Sequence, residues 1–258
     1  MREAAGGLGH REARFLVDAY YMLQGNRIEA ANQLRALTES EEPNVVLAWL
    51  FDQQRLLENE IKKALGPYTD AHTVGVWAKS ITGIGPVLSA GLLAHIDIEQ
   101  APTVGHIWRF AGLDPTVSWE KGKKRPWNAS LKVLCWKIGE SFVKVHSNES
   151  DIYGKVYVER KIQEETKNAA GDFADQAARA LEQKKYSKST DAYKAYAAGR
   201  LPQARIHARA KRYAVKLFLS HWHHVAYEDH FGEAPPKPYI IEHGGHTHFV
   251  KPPNWPMA

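Results

Sequence analysis

The sequence predicts an all-α fold, and three stretches carry the prediction. From Leu47 onward, apolar residues recur at Leu47, Leu50, Leu57, Ile61 and Leu65, with Gln54 in the remaining slot, which is heptad spacing. Leu131, Leu134, Cys135, Ile138 and Phe142 line one side of a second amphipathic helix. After Leu201-Pro202, Arg205, Arg209, Arg212 and Lys216 stand at i, i+4, i+7 and i+11, while Ile206, Ala210, Tyr213 and Leu217 point to another side. The expected arrangement is a helical hairpin or coiled coil over residues 1–70, a helix-hairpin-helix domain over 71–146, a helical insertion over 147–200, and over 201–258 a basic helix and His/Pro-rich tail that complete the domain.

Composition limits the partners. With 258 residues and 44% hydrophobic content the chain can bury a sizeable core. Lys+Arg number 34 against 29 Asp+Glu, a formal charge of +5 that favours a polyanion over a cationic ligand. The single cysteine, Cys135, excludes an intramolecular disulfide and a Cys-rich metal site, and its apolar neighbours point to a buried thiol in a reducing compartment. The N-terminus MREAAGGLGHREARF carries no long apolar stretch, and no run of 18 apolar residues occurs, so no membrane partner is expected. The expected location is the cytoplasm, at the nucleoid in a bacterium.

Along the chain, Gly25-Asn26 is read as a helix break and Glu41-Glu42-Pro43-Asn44 as the opening of the next helix. Its heptads serve either an antiparallel hairpin or a homodimer seam, and Gly66-Pro67 is read as the stop. Next comes SITGIGPVLSAGLLAHI. Glycine tolerates positive φ and carries no Cβ, so Gly83-Ile84-Gly85 permits a tight turn in which Ile84 plugs the hairpin and the following amides face a phosphate. A plain packing corner is the competing reading. TVGHIWRF follows as a short helix with Thr103 as N-cap, ended by Gly112 and Pro115, and Lys121, Lys123, Lys124 and Arg125 then form a basic loop.

This order resembles the C-terminal domain of the RNA-guided insertion-sequence transposases of the IS-one-ten class. The matching residues are Gly83-Ile84-Gly85-Pro86, Ala111-Gly112-Leu113-Asp114-Pro115 and Lys121 to Arg125, within a stretch of roughly 45–146. The resemblance implies nucleic-acid binding, an N-terminal RuvC-like half with an acidic metal-binding tetrad, and a nucleophilic serine in a Ser-Gly pair shortly after Gly-Leu-x-Pro. No counterpart of the RuvC-like half is expected, since the sequence opens almost directly with the helical region. At the serine position the aligned residues read Trp119-Glu120-Lys121-Gly122, so Ser118 and Ser130 are candidate nucleophiles only if the register shifts.

The region 147–200 reads as a solvated helical insertion. One helix opens at Asp151, a second follows Gly171, and Lys184 to Pro202 is a connection with little pattern. The basic stripe beyond it has no acidic residue between Gly199 and Tyr227, which leaves it available to phosphates. Histidines then cluster. His221 and His224 share a helix face, and His246 would supply a third imidazole to a zinc ion, although no established ligand spacing is met and no cofactor is otherwise expected. A polar, partly aromatic surface with a Pro-rich strap is the plainer reading. The leading function is a DNA- or structured-RNA-binding protein of mobile-element origin. The alternatives are a serine-dependent transposase or recombinase component and a helical scaffold without nucleic acid.

Overall fold

The computed structural model describes residues 7–236 and 250–257. Every regular element among them is helical. The α-helices are α1 (His10–Glu39), α2 (Val45–Asp70), α3 (Thr73–Lys79), α4 (Pro86–His95), α5 (Val104–Phe110), α6 (Ala129–Val145), α7 (Tyr153–Ala170), α8 (Ala174–Gln183), α9 (Asp191–Ala197) and α10 (Gln203–Phe231), with a 3-10 turn at Ile98–Gln100. The chain divides into two compact units: one holds the residues up to Ser80, Ile84–Leu134 and those from His221 onward, the other Ile81–Gly83 and Cys135–Ser220.

The first unit is built around α4. Every residue from Val87 to His95 is buried, as expected of a helix that is apolar on all sides. Helices α1, α2 and α3 pack against it. The Ser89 hydroxyl donates to the Gly75 carbonyl at 3.1 Å, and Arg14 Nη2 reaches the Ala94 carbonyl at 2.5 Å. α1 and α2 run antiparallel, joined by an Arg27–Glu58 ion pair at 2.6 Å midway and a His10–Tyr68 hydrogen bond at 3.1 Å near their ends. Most of the Pro-rich strap expected over 234–243 lies outside the described residues, and what is described of the tail, residues 250–257, is tied to this unit. Trp77 Nε1 donates to the Pro253 carbonyl and Trp255 Nε1 to the Glu228 carboxylate, each at 2.7 Å.

Two helix stops read from sequence are not stops. α1 runs through Gly25-Asn26 without interruption, and α2 continues past Gly66-Pro67 to Asp70. One glycine costs a helix only ~1 kcal/mol, which packing along a thirty-residue helix offsets. Pro67 lies in the last turn of α2, where only one hydrogen bond is forfeited. The heptad seam is only half used: Leu65 is fully buried, whereas Leu50 and Leu57 remain exposed.

The second unit has its own core. Phe142 stacks on Tyr153 at 5.0 Å between ring centroids, and Phe218 meets both edge-on at 5.5 and 5.2 Å. Asp151 caps α7 by accepting from the Gly154 and Lys155 amides at 3.1 and 2.8 Å. The little-patterned connection from Lys184 to Pro202 contains α9. Tyr196 of that helix joins Phe173, Ala177, Leu201 and Ile206 in a small apolar cluster, against which Tyr186 packs. Asn168 fixes the start of α10 by exchanging two hydrogen bonds with the Leu201 backbone, at 2.9 and 2.7 Å. This segment looked unpatterned because its apolar residues are aromatic and widely spaced.

Candidate nucleic-acid interface

In the first unit, the loop between α5 and α6 is stapled at its base. Gly112 has φ +64, and a Cβ there would stand 2.8 Å from Trp127 Cγ, so the indole closes directly onto the glycine. The Asn128 amide donates to the Phe110 carbonyl at 2.8 Å, and Asn128 Oδ1 accepts from the Leu131 amide at 2.9 Å to start α6. Lys132 Nζ lies 3.9 Å from the Trp127 ring centroid, within cation–π range. Near the loop's start, Asp114 Oδ1 accepts from the Thr116 amide and hydroxyl at 2.9 and 2.7 Å. The stapled segment presents Lys121, Lys123, Lys124 and Arg125, all exposed. Lys123 meets Glu120 at 2.9 Å in a fully solvated pair of small worth. Among the described residues, Lys121, Lys124 and Arg125 make no ion pair.

The two glycines of the Gly-Ile-Gly turn play different parts. Gly83 has φ +92, and a Cβ on it would approach Ser141 Oγ to 3.1 Å and Val145 Cγ2 to 3.2 Å. Its carbonyl accepts from the Ser141 hydroxyl at 2.5 Å. Gly85 sits in extended backbone at φ −97, as the N-cap residue before Pro86 at the head of α4. A Cβ on Gly85 would meet nothing within 4 Å, so the approach to that helix start is open. Ile84 is buried, as a plug should be. The conformational demand for glycine therefore falls on Gly83 and the open surface on Gly85.

In the second unit the α10 stripe is partly neutralised. Arg209 Nε pairs with Glu164 at 2.6 Å, Arg160 meets the same carboxylate at 2.6 Å, and Arg209 also donates to Gln176 at 3.3 Å. Glu164 is almost wholly buried. Burial opposes its ionisation, but the two guanidiniums prevail and hold its pKa below the usual carboxylate value. Arg205 donates to the Tyr196 hydroxyl at 3.2 Å. Arg212 is exposed, and its pKa is lowered first by desolvation and then by Arg209 and Arg205. Four guanidiniums, Arg160, Arg205, Arg209 and Arg212, against one carboxylate leave a positive face. The sequence hid the neutralisation because Glu164 lies 45 residues from Arg209, far outside i,i+4 reach.

The serine candidates occupy different surroundings. Ser118 is on the exposed loop. Ser130, the second residue of α6, lines a cavity of about 220 Å³ with Val17, Asp18, Tyr21, His95, Ala129, Val133 and Leu134. His95 is 6% exposed, and its buried Nδ1 has no hydrogen-bond partner among the described residues. Its pKa is lowered by burial and then by Arg14, against the opposing pull of Asp18. Sequence reasoning missed His95. The available signal was one imidazole closing an otherwise apolar helix.

The histidine cluster is structural where it is described. His221 Nε2 donates to the Val250 carbonyl at 2.9 Å and His223 Nε2 to the Ala101 carbonyl at 2.8 Å. His224 lies 3.4 Å from Glu228. Among the described residues no group of three His, Cys, Asp or Glu could hold a metal ion, and His246 lies outside them.

Residues 77–127 match the transposase IS116/IS110/IS902 family. The match opens at Trp77 in α3, takes in the glycine turn, α4 and α5, and ends at Trp127, where the basic loop closes. No curated protein and no solved structure matches the chain. Among the described residues no helix is long and apolar enough to cross a membrane. Over the matched stretch the chain is similar to mobile-element transposases.

Proposed function

We propose that the protein binds nucleic acid, DNA or structured RNA, as a component of mobile-element origin, and that it does so through the phosphate backbone. The observation that carries this reading is the stapled loop within the family-matched stretch, which holds Lys121, Lys124 and Arg125 in solvent without counter-charges among the described residues. Such cations attract phosphates irrespective of base sequence, and the open start of α4 at Gly85 and the exposed Arg212 supply further positive potential, each within its own unit. A direct test replaces Lys121, Lys124 and Arg125 together by Gln and titrates the variant against duplex, single-stranded and branched DNA and RNA. The reading expects affinity to fall about tenfold or more on every probe that the native protein binds. Unchanged affinity would remove the loop from the interface.

A second reading, a serine-dependent strand-transfer component, is favoured by a cavity whose lining includes both Ser130 and His95. A serine becomes a nucleophile only beside a base, and a neutral buried imidazole can accept its proton. Under the leading reading, Ser118→Ala and Ser130→Ala bind as the native protein does. A folded Ser130→Ala protein that lost a cleavage or strand-transfer activity present in the native protein would establish the second reading in its place.

A further inference from the structure

We propose that the indole of Trp119 is a stacking platform for an unpaired base, so that the basic loop holds single-stranded nucleic acid in preference to duplex; this rests on the nucleic-acid reading above. Trp119 is 39% exposed, in a loop whose other tryptophan, Trp127, is packed on Gly112. Its polar edge is already used: Nε1 donates to the Lys123 carbonyl at 2.7 Å, which fixes the ring within its own short turn. With Nε1 engaged, the exposed side chain has no hydrogen-bond donor left to satisfy. The Arg125 guanidinium carbon lies 5.4 Å from the ring centroid, and Lys121 and Lys124 project from the same loop.

An aromatic face set among cations is the arrangement that holds single strands. The cations take successive phosphates and the ring takes a base, whatever its identity, because every base has a π face. A duplex keeps its bases stacked on one another and offers the ring only the outside of its backbone. The loop is held at its base by Gly112–Trp127 packing and the Asn128–Phe110 hydrogen bond, so the platform is ordered before a ligand arrives. The opposing explanation is that Trp119 merely stiffens the loop through its bond to Lys123.

The test compares the full chain with Trp119→Ala and Trp119→Phe, using a labelled oligothymidylate and a duplex of equal length, with thermal unfolding measured alongside. Trp119→Ala should weaken the single strand by about five- to a hundredfold and leave the duplex nearly unchanged. Trp119→Phe, which keeps an aromatic face but loses the bond to Lys123, should retain most of the single-strand affinity. Equal losses on both probes, or a Phe variant as weak as the Ala variant, would show a stiffening role and overturn the proposal. A native protein that binds duplex only, or that binds neither probe, would overturn it; the nucleic-acid reading falls as well only where branched DNA and RNA also go unbound.

Discussion

Gly83 and Gly85 lie two positions apart and should respond oppositely to substitution. Gly83→Ala places a side chain in left-handed backbone and against Ser141 and Val145, and should cost ~1–2 kcal/mol or more in denaturant unfolding. Gly85→Ala meets open space in ordinary extended backbone and should stay within ~0.5 kcal/mol of the native protein. Gly85→Val should then lower nucleic-acid affinity at nearly native stability, and a Gly85→Val protein that binds normally would reduce the turn to a packing corner. Ile84→Ala should do the reverse, losing ~2–5 kcal/mol of stability because it empties a buried site. His221 provides a pH signature. Burial lowers its pKa to about 4 from 6.5, so the unfolded chain binds the proton more readily, and the stability His221 contributes is lost as pH falls below 6.5. Between pH 7 and pH 5 it should account for a loss of ~2 kcal/mol. His221→Gln, whose amide can still donate to Val250, should flatten that part of the pH profile, and an unchanged profile would place the acid sensitivity elsewhere.

Of the stripe on α10, Arg209 is tied to α7 through Glu164, whereas Arg212 is exposed. Glu164→Ala leaves Arg160 and Arg209 without their shared carboxylate and should cost ~3 kcal/mol in chemical denaturation. Arg212→Ala should change stability by less than ~0.5 kcal/mol yet weaken binding to any probe that the native protein holds, and a stable Arg212→Ala protein with native affinity would exclude the stripe from the interface. The contrast also shows what the sequence discloses. The α6 positions Leu131, Leu134, Cys135, Ile138 and Phe142 are all buried as their spacing required, because helical periodicity reports burial directly. The Arg209–Glu164 pair was illegible, since only tertiary packing brings α7 to α10. Gly25 and Pro67 were read as stops because propensity is local, while the stability of α1 and α2 comes from their packing on each other and on α4. The basic loop was legible as charge, but its staple was not, because Gly112 and Trp127 meet across fifteen residues of irregular chain.

For the molecule as a whole, the α1–α2 hairpin leaves Met22, Trp49, Leu50, Leu56 and Leu57 exposed, more apolar surface than an isolated hairpin requires. The homodimer expected from the heptad spacing would seat a second copy of the chain on this surface. Sedimentation of the native protein should then show a concentration-dependent dimer that Leu50→Glu with Leu57→Glu converts to monomer, and a native monomer at all concentrations would leave the seam without that role. The central claim, binding through phosphates, is tested most directly by the affinity of the native protein for one duplex and one single-stranded probe over a range of salt concentrations. The account predicts a linear fall of log K with log salt, with a slope of about −3 or steeper on the preferred probe, as Lys121, Lys124, Arg125 and Arg212 each displace counterions. A slope near zero, or no binding to either probe at low salt, would contradict it.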